Sequence, residues 1–133
     1  MELKHVTRNI RLAPRKLRLV TEQVKYMPVG KALGVLPLTN KGGALHVHKS
    51  LKAAVEAAKD QNFDTDTLIV QRIFVDEGTA IKRMIGHSRG RMSMIMKKYS
   101  HLNIVLSGTQ QGTKKTARPV KKDVEQSVQA EEK

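Results

Sequence analysis

The sequence has no cysteine and no tryptophan, and two tyrosines and two phenylalanines are its only aromatic residues. Without cysteine, a disulfide framework and a thiolate metal site are excluded, and the composition fits a cytoplasmic protein. No apolar run approaches the ~18 residues of a membrane-spanning helix, and the N-terminal residues lack the apolar segment of a secretory signal. We therefore expect no membrane partner. With so few rings, we also expect no surface that stacks many bases.

Positive charge is what the chain has in excess. The 25 Lys and Arg residues stand against 12 Asp and Glu, which gives a formal charge of +13 and an isoelectric point near 10.3. Such a balance favours a polyanionic partner, and nucleic acid more than an anionic membrane. Because phosphate contacts release counterions, we expect binding to weaken steeply as salt is raised. The length of 133 residues fits one domain.

The densest positive charge lies in residues 82–98, which hold six cations and no acid: Lys82, Arg83, Arg89, Arg91, Lys97 and Lys98. Strand-like runs flank this segment, and Gly86 and Gly90 bracket a reversal at HSR, where the backbone needs freedom. The pattern predicts a long β-hairpin, the arm, over about 76–100. Period-two spacing puts three methionines on one of its faces: Met92, Met94 and Met96. An isolated two-stranded ribbon is marginal in water, so the arm needs a partner; an ordinary solvated hairpin is the alternative.

An edge strand and a helix are predicted before the arm. Residues 3–12 alternate in character, which puts four side chains on one side of a strand: Val6, Arg8, Ile10 and Leu12. Pro14 suits the first turn of a helix, and three apolar residues follow at helical spacing: Leu17, Val20 and Val24. Ala13 is a poor N-cap for this helix.

Two more helices and two more strands complete the expected fold: a helix from Pro28 to Pro37, a helix over Asn40–Asp60, and strands over Leu68–Val75 and His101–Ser107. The predicted fold class is α+β, with a small three-stranded antiparallel sheet packed on three helices and a long extended β-hairpin arm. Residues 1–107 form the domain. Residues 108–133 contain no Leu, Ile, Phe or Met, and we predict a disordered C-terminal tail there.

A second basic group surrounds Pro14, and it consists of Arg11, Arg15, Lys16 and Arg18. Cations at a helix start are opposed by the helix macrodipole. A bound phosphate would relieve that conflict, since helix N-termini bind anions. A solvated helix face is the alternative for these residues, and both interpretations stay open.

Residues that could carry catalysis or hold a metal are few. His46 and His48 are two positions apart, so they do not share a helix face, and no third ligand is near. Asp76 and Glu77 are neighbours that point to opposite faces of a strand, which argues against an acid–base pair. The chain has no phosphate loop, nucleophile elbow or metal motif. We expect neither an enzyme nor a metal or other cofactor, and we expect His101 to be structural or to face RNA.

Four segments together carry a resemblance to a known family: IRLAPRKLRLV at the first helix, PVGKAL at the second, and IFVDEGTAIKR and KKYSHLNIVLS on the two legs of the arm. They resemble the bacterial-type large-subunit ribosomal protein L twenty-two family (universal uL twenty-two), over residues 5 to about 107. The combination of VDEG, KR, GR and SH at these spacings is highly specific. The family usually has Ser or Thr where Ala13 stands, and often a Pro-Arg pair where Gly86 and His87 stand.

The resemblance implies a cytoplasmic, structural constituent of the large ribosomal subunit that binds large-subunit rRNA, aids subunit assembly and lines the nascent-peptide exit tunnel with its hairpin tip. It implies neighbouring large-subunit ribosomal proteins and the nascent peptide as further partners of a protein that is monomeric within the ribosome. The residues assigned to rRNA binding are Arg8, Arg11, Arg15, Lys16, Arg18, Lys82, Arg83, Arg89, Arg91, Lys97, Lys98, Ser100 and His101. The tunnel tip comprises Met84, Ile85, Gly86, His87, Ser88, Arg89 and Gly90. The alternative is a DNA-bending architectural protein with basic β-arms.

Overall fold

The computed structural model describes residues 1–109, and the rest of the predicted disordered tail, residues 110–133, lies outside the described residues. The described part contains the helices α1 (Pro14–Val24), α2 (Val29–Leu38) and α3 (Ala44–Asp60) and the strands β1 (Glu2–Ile10), β2 (Ile69–Gly86) and β3 (Met92–Ser107). The strands form one antiparallel sheet in the order β1–β3–β2. The predicted α+β class, with three helices and a three-stranded sheet, is confirmed.

The hydrophobic core lies between the helices and one face of the sheet. Helix α1 begins at Pro14, as predicted, and buries the three residues that share its apolar stripe: Leu17, Val20 and Val24. The central strand buries Leu102, Ile104 and Leu106 against the helices. Each such side chain stabilises the fold by about 1.5–3 kcal/mol relative to an exposed one. The sheet is therefore held by helices on one side only.

Strand β3 runs straight through the centre of the sheet. Bulges interrupt its pairing at Thr7/Ile10 of β1 and at Val70/Arg72 and Glu77/Ala80 of β2, and in each case the extra residue is on the flanking strand. Strand β3 therefore has no bulge, and its even-numbered residues from position 100 to 106 are buried. Val105, which lies between Lys4 and Arg72 on the other face, is buried as well.

The face predicted for β1 is wrong. The alternation predicts Val6 and Ile10 on the same side, but Val6 is exposed whereas Leu3 and Ile10 are buried. Asn9 lies in the bulge with φ of 58°, a left-handed conformation that Asn tolerates better than most residues. The extra residue inverts the alternation, so Ile10 turns toward the core while Val6 faces away from it.

Two helix limits also differ from the prediction. Helix α3 begins at Ala44 rather than Asn40, because Gly42 and Gly43 each cost a helix roughly 1 kcal/mol relative to Ala. Helix α2 continues one residue past Pro37, which lies in its last turn. A proline there removes one backbone hydrogen-bond donor, and the helix ends at the next residue, Leu38.

The folded body continues two residues beyond Ser107. Gly108 and Met1 exchange hydrogen bonds of 3.3 and 3.1 Å through their backbone groups and the N-terminal amine. The Asp64 amide donates to the carbonyl of Thr109 at 3.1 Å. These contacts attach Gly108 and Thr109, which the composition assigns to the tail, to the body.

Candidate nucleic-acid interface

The arm leaves the body where β2 and β3 pass the Glu77–Ser100 pair. Beyond this pair the two strands stay hydrogen-bonded as far as Gly86 and Met92, and every residue over 82–98 is exposed. The β2 leg runs about ten residues past the body, which is roughly 33 Å at ~3.3 Å per residue. The long β-hairpin that the sequence predicts is therefore confirmed.

The arm reverses in a tight 3₁₀ turn over Ser88–Gly90, where the sequence predicts it. Arg89 adopts φ of 61° in this turn, and the His87 amide closes the loop by donating to the Arg91 carbonyl at 2.7 Å. His87 Nε2 also lies 2.6 Å from Ser93 Oγ. The turn thus presents two arginines at the far end of the arm.

The strand register divides the side chains of the arm between two faces, because residues directly opposite in an antiparallel pair lie on the same side. The first, the methionine face, consists of Ala80, Lys82, Met84, Gly86, Met92, Met94, Met96 and Lys98. The second, the isoleucine face, consists of Ile81, Arg83, Ile85, Ser93, Ile95 and Lys97. The three methionines predicted to share a face do so, and Met84 joins them from the other leg.

Charge is distributed differently on the two faces. The cations of the methionine face, Lys82 and Lys98, both lie toward the body, and its distal half holds only methionines and Gly86. On the isoleucine face, Arg83 and Lys97 alternate with apolar side chains. The four methionines are 49–76% exposed. The distal half of the methionine face is therefore an uncharged apolar surface on an otherwise basic arm.

The methionine face continues the core-facing side of β3. Position parity along this straight strand links Met92, Met94, Met96 and Lys98 with the buried Ser100, Leu102, Ile104 and Leu106. The helices cover only the second of these two groups. The first group has the spacing of a buried face yet has no cover within residues 1–109, and contiguous exposed apolar surface of this kind marks an interaction site.

Side chains of the body fix the base of the arm. Arg18 donates from Nε and Nη2 to the carbonyl of Val75 at 3.3 and 3.0 Å. Asn103 Nδ2 donates to Asp76 Oδ2 at 2.7 Å on the opposite face of the sheet. A guanidinium donor to a strand carbonyl is a charge-assisted bond, so both faces of the sheet hold β2 just before it leaves the body.

Gly78 lies in the bulge at this base. A Cβ at this position would lie 3.1 Å from the carbonyl carbon and oxygen of Tyr99 and 3.2 Å from Cε1 of His101. The two strands therefore approach closely at the glycine of the VDEG segment, and a side chain there would require the Tyr99 backbone and the His101 ring to shift by a few tenths of an ångström.

Ser100 and His101, both predicted to bind rRNA, have hydrogen-bond partners within the body. Ser100 is fully buried, and its hydroxyl donates to the Leu12 carbonyl at 2.9 Å, which leaves no exposed part of this residue for rRNA. His101 is half-buried, and its Nδ1 accepts the Asn9 amide at 3.0 Å. In a neutral ring this assigns the proton to Nε2, which is the atom left to meet a ligand.

The two basic groups that are far apart in the sequence adjoin in the fold. The bonds of Leu12 with Ser100 and of Arg18 with Val75 place the start of α1 at the base of the arm. No side chain caps this helix N-terminus and its first turn contains no acid. Exposed at this end of the body are Arg8, Arg11, Arg15 and Lys16, and no carboxylate of residues 1–109 pairs with them.

The sequence reasoning missed the face of the body sheet that lies opposite the helices. On β2, Arg72, Phe74 and Asp76 are exposed while Ile73 and Val75 between them are buried. That alternation is legible in the sequence and could have shown that the Phe74 ring is on the open side.

Within the described residues, no group of His, Cys, Asp or Glu side chains is placed to hold a metal ion. None of the helices there is long and apolar enough to cross a membrane. The charged side chains along the arm over 82–98 are all cations, and the base adds two acids, Asp76 and Glu77, of which Glu77 lies 3.7 Å from Lys98 Nζ. An excess of cations with apolar groups is suited to non-covalent binding of a polyanion.

These features define a basic α+β nucleic-acid-binding protein with an extended arm. A family model described as Ribosomal protein L22p/L17e matches residues 5–107, and the chain belongs to that family. Its members are structural, rRNA-binding components of the large ribosomal subunit in the cytoplasm, and the family is not an enzyme class. The resemblance drawn from the motifs is confirmed, and the match decides against the DNA-bending alternative.

Proposed function

We propose that the arm of this ribosomal protein forms part of the wall of the peptide exit tunnel, with its tip and the distal methionine face toward the nascent chain. The observation that supports this most directly is the absence of charge on that distal half: Met84, Gly86, Met92 and Met94. A surface without cations provides no electrostatic attraction for phosphates. Flexible, polarisable thioether side chains instead adapt to irregular apolar partners, and a nascent chain of changing sequence is such a partner.

In this proposal the isoleucine face and the base of the arm hold rRNA. Arg83 and Lys97 project from the isoleucine face. Lys82 and Lys98 lie nearer the body, where Lys82 contacts phosphate and Lys98 is shared between phosphate and Glu77, which lies 3.7 Å away. Arg89 and Arg91 occupy the turn, within reach of both rRNA and peptide. An arm with RNA on one side and peptide on the other needs two chemically different faces. The pairing of β2 with β3 provides them as the methionine face and the isoleucine face.

The basic surface at the start of α1 anchors the body in the same proposal, through Arg8, Arg11, Arg15, Lys16 and Arg18. Its uncapped helix N-terminus favours the binding of a phosphate. The phosphate accepts hydrogen bonds from the backbone N–H groups and neutralises the adjacent cations. His101 Nε2 lies at the same end of the body. In this proposal the body binds one region of the rRNA and the arm binds a second region. Holding the two regions together is how the protein aids assembly beside neighbouring ribosomal proteins.

Site-specific photocrosslinking from positions 94 and 95 tests the orientation of the arm. Met94 and Ile95 are adjacent in β3, at nearly the same distance along the arm, and lie on opposite faces. Their side chains are 53% and 42% exposed. We expect benzoylphenylalanine at 94 to crosslink a radiolabelled nascent chain held in translating ribosomes. The same group at 95, the matched control, should crosslink rRNA.

The possible outcomes separate two claims. Peptide adducts from position 95 and not 94 would keep the arm in the tunnel wall and reverse its faces. If neither position reached the peptide in subunits that contain the protein, the arm would not line the tunnel.

A further inference from the structure

The face of the body sheet opposite the helices, here called the open face, carries a groove. Val6, Asn103 and Phe74 lie side by side in one row, because Asn103 of the central strand pairs with both of the others. The side chains of Val6 and Phe74 are each 48% exposed and border a groove of about 260 Å³. Two strand spacings put the backbones of Val6 and Phe74 roughly 10 Å apart, and Asn103, which also lines the groove, lies between them.

Two cations and two carboxylates lie around the groove. Lys4 and Arg72 are exposed in the adjacent row, and neither pairs with a carboxylate within residues 1–109. Glu2 lines one end of the groove. The carboxylate of Asp76, in the row on the other side, is held by Asn103 at 2.7 Å. The Asp76 carboxylate keeps its negative charge in this bond, so the cations beside the Phe74 ring are Lys4 and Arg72, in the row on the side away from Asp76.

One row of the open face, that of Asp76 and His101, separates the groove from the basic surface described above. His101 belongs to the row beyond Asn103 on the open face, and its ring is bonded to Asn9 next to the exposed Arg8. A polyanion bound to the cations at the base of the arm is therefore close enough to extend onto the open face. This proximity, together with the exposed ring, favours RNA over a protein as the occupant.

We propose that the groove binds one unpaired nucleobase of the large-subunit rRNA, stacked on Phe74, with Lys4 and Arg72 on the adjoining phosphates. Proteins hold unstacked RNA bases by this combination of an aromatic side chain and flanking cations. The site is separate from the arm. It rests on the rRNA-binding role of the family and does not depend on where the arm tip lies.

A ring-removing substitution tests the stacking, with a matched control on the same chain. Phe74→Leu keeps an apolar side chain in the strand and removes the ring, whereas Tyr26→Leu removes a ring that is 67% exposed elsewhere on the body. We expect Phe74→Leu to weaken binding to the cognate rRNA fragment about ten-fold with an unchanged salt dependence, as for the loss of one stacked base. Tyr26→Leu should bind like the unsubstituted protein. Lys4→Ala and Arg72→Ala should instead reduce the slope of affinity against salt.

A second measurement needs no variant and does not depend on a substituted protein folding. Short-wave ultraviolet irradiation of intact large subunits, followed by proteolysis and mass spectrometry, should give a nucleotide adduct on the peptide that contains Phe74. Adducts on arm and α1 peptides but none at Phe74, with wild-type affinity for Phe74→Leu, would overturn the proposal. Amine crosslinks from Lys4 to another ribosomal protein, with no RNA adduct at Phe74, would assign the groove to a protein partner and also overturn it. If the unsubstituted protein failed to bind rRNA, the family role itself would be in question.

Discussion

At the scale of single residues, a few contacts at the base set the direction of the arm. Arg18 satisfies a carbonyl of β2 from the helix side, and Ser100 satisfies the Leu12 carbonyl from within the core. Each bond contributes on the order of 1 kcal/mol net, but losing one partner leaves a buried polar group and costs more. The close approach at Gly78 belongs to the same set of contacts, since it fixes the bulge from which the arm departs.

A methyl group at Gly78 is expected to destabilise the body. In Gly78→Ala the new Cβ meets backbone atoms of Tyr99 at 3.1 Å, and such overpacking costs about 1–3 kcal/mol. The matched control is Gly34→Ala in α2, where the Cβ meets nothing within 4 Å and helix propensity predicts a gain of roughly 0.5–1 kcal/mol. Urea unfolding of both variants measures the difference. Equal stability for the two variants would show that the strands at Gly78 can separate without cost.

At the scale of elements, β3 is one strand with two environments. The same period-two pattern that buries Leu102 and Ile104 under the helices runs outward to Met94 and Met96, where the described residues provide no cover. A two-stranded ribbon without a packed face is marginal on its own. The arm is therefore the element whose order depends most on a partner.

Hydrogen exchange of the free protein should separate the arm from the body. We expect backbone amides over 80–98 to exchange much faster than those over 100–106, because their hydrogen bonds are exposed and little apolar area is buried around them. In the assembled subunit the same amides should become protected. Arm protection equal to that of the core in the free protein would mean that the hairpin is stable without rRNA.

How far the sequence predicts these elements depends on whether local or distant residues decide them. Leu17, Val20 and Val24 predict α1 because helical spacing is a local property. The face of β1 is predicted wrongly because the bulge at Asn9 inverts the alternation, and a bulge depends on pairing with a distant strand. The role of Ser100 could not be deduced either, since its partner Leu12 is 88 positions away.

The same reasoning applies to the candidate site. Six cations over 82–98 identify the arm from composition alone. Their division between two faces requires the register past the bulge at Gly78, because one extra residue in β2 decides which of its side chains stand beside the methionines. The groove beside Phe74 also requires knowledge of which strand lies at the centre of the sheet.

At the scale of the whole molecule, the fold brings its basic groups to one end and extends one of them outward. The start of α1 and the base of the arm adjoin, so the body and arm present a single basic surface that ends in an uncharged methionine face. This arrangement is what the proposed function requires, with the body bound to rRNA and the distal methionine face of the arm toward the nascent chain.

The most direct test of this account is a cryo-electron microscopy map of the large subunit that contains this chain, at a resolution that shows side chains. We predict the body on rRNA through the start of α1, the arm in the tunnel wall, the Met94 side chain toward the lumen and the Arg83 guanidinium against a phosphate. An arm directed away from the tunnel, or one with Ile95 and Arg83 toward the lumen and the methionines packed on rRNA, would contradict the account.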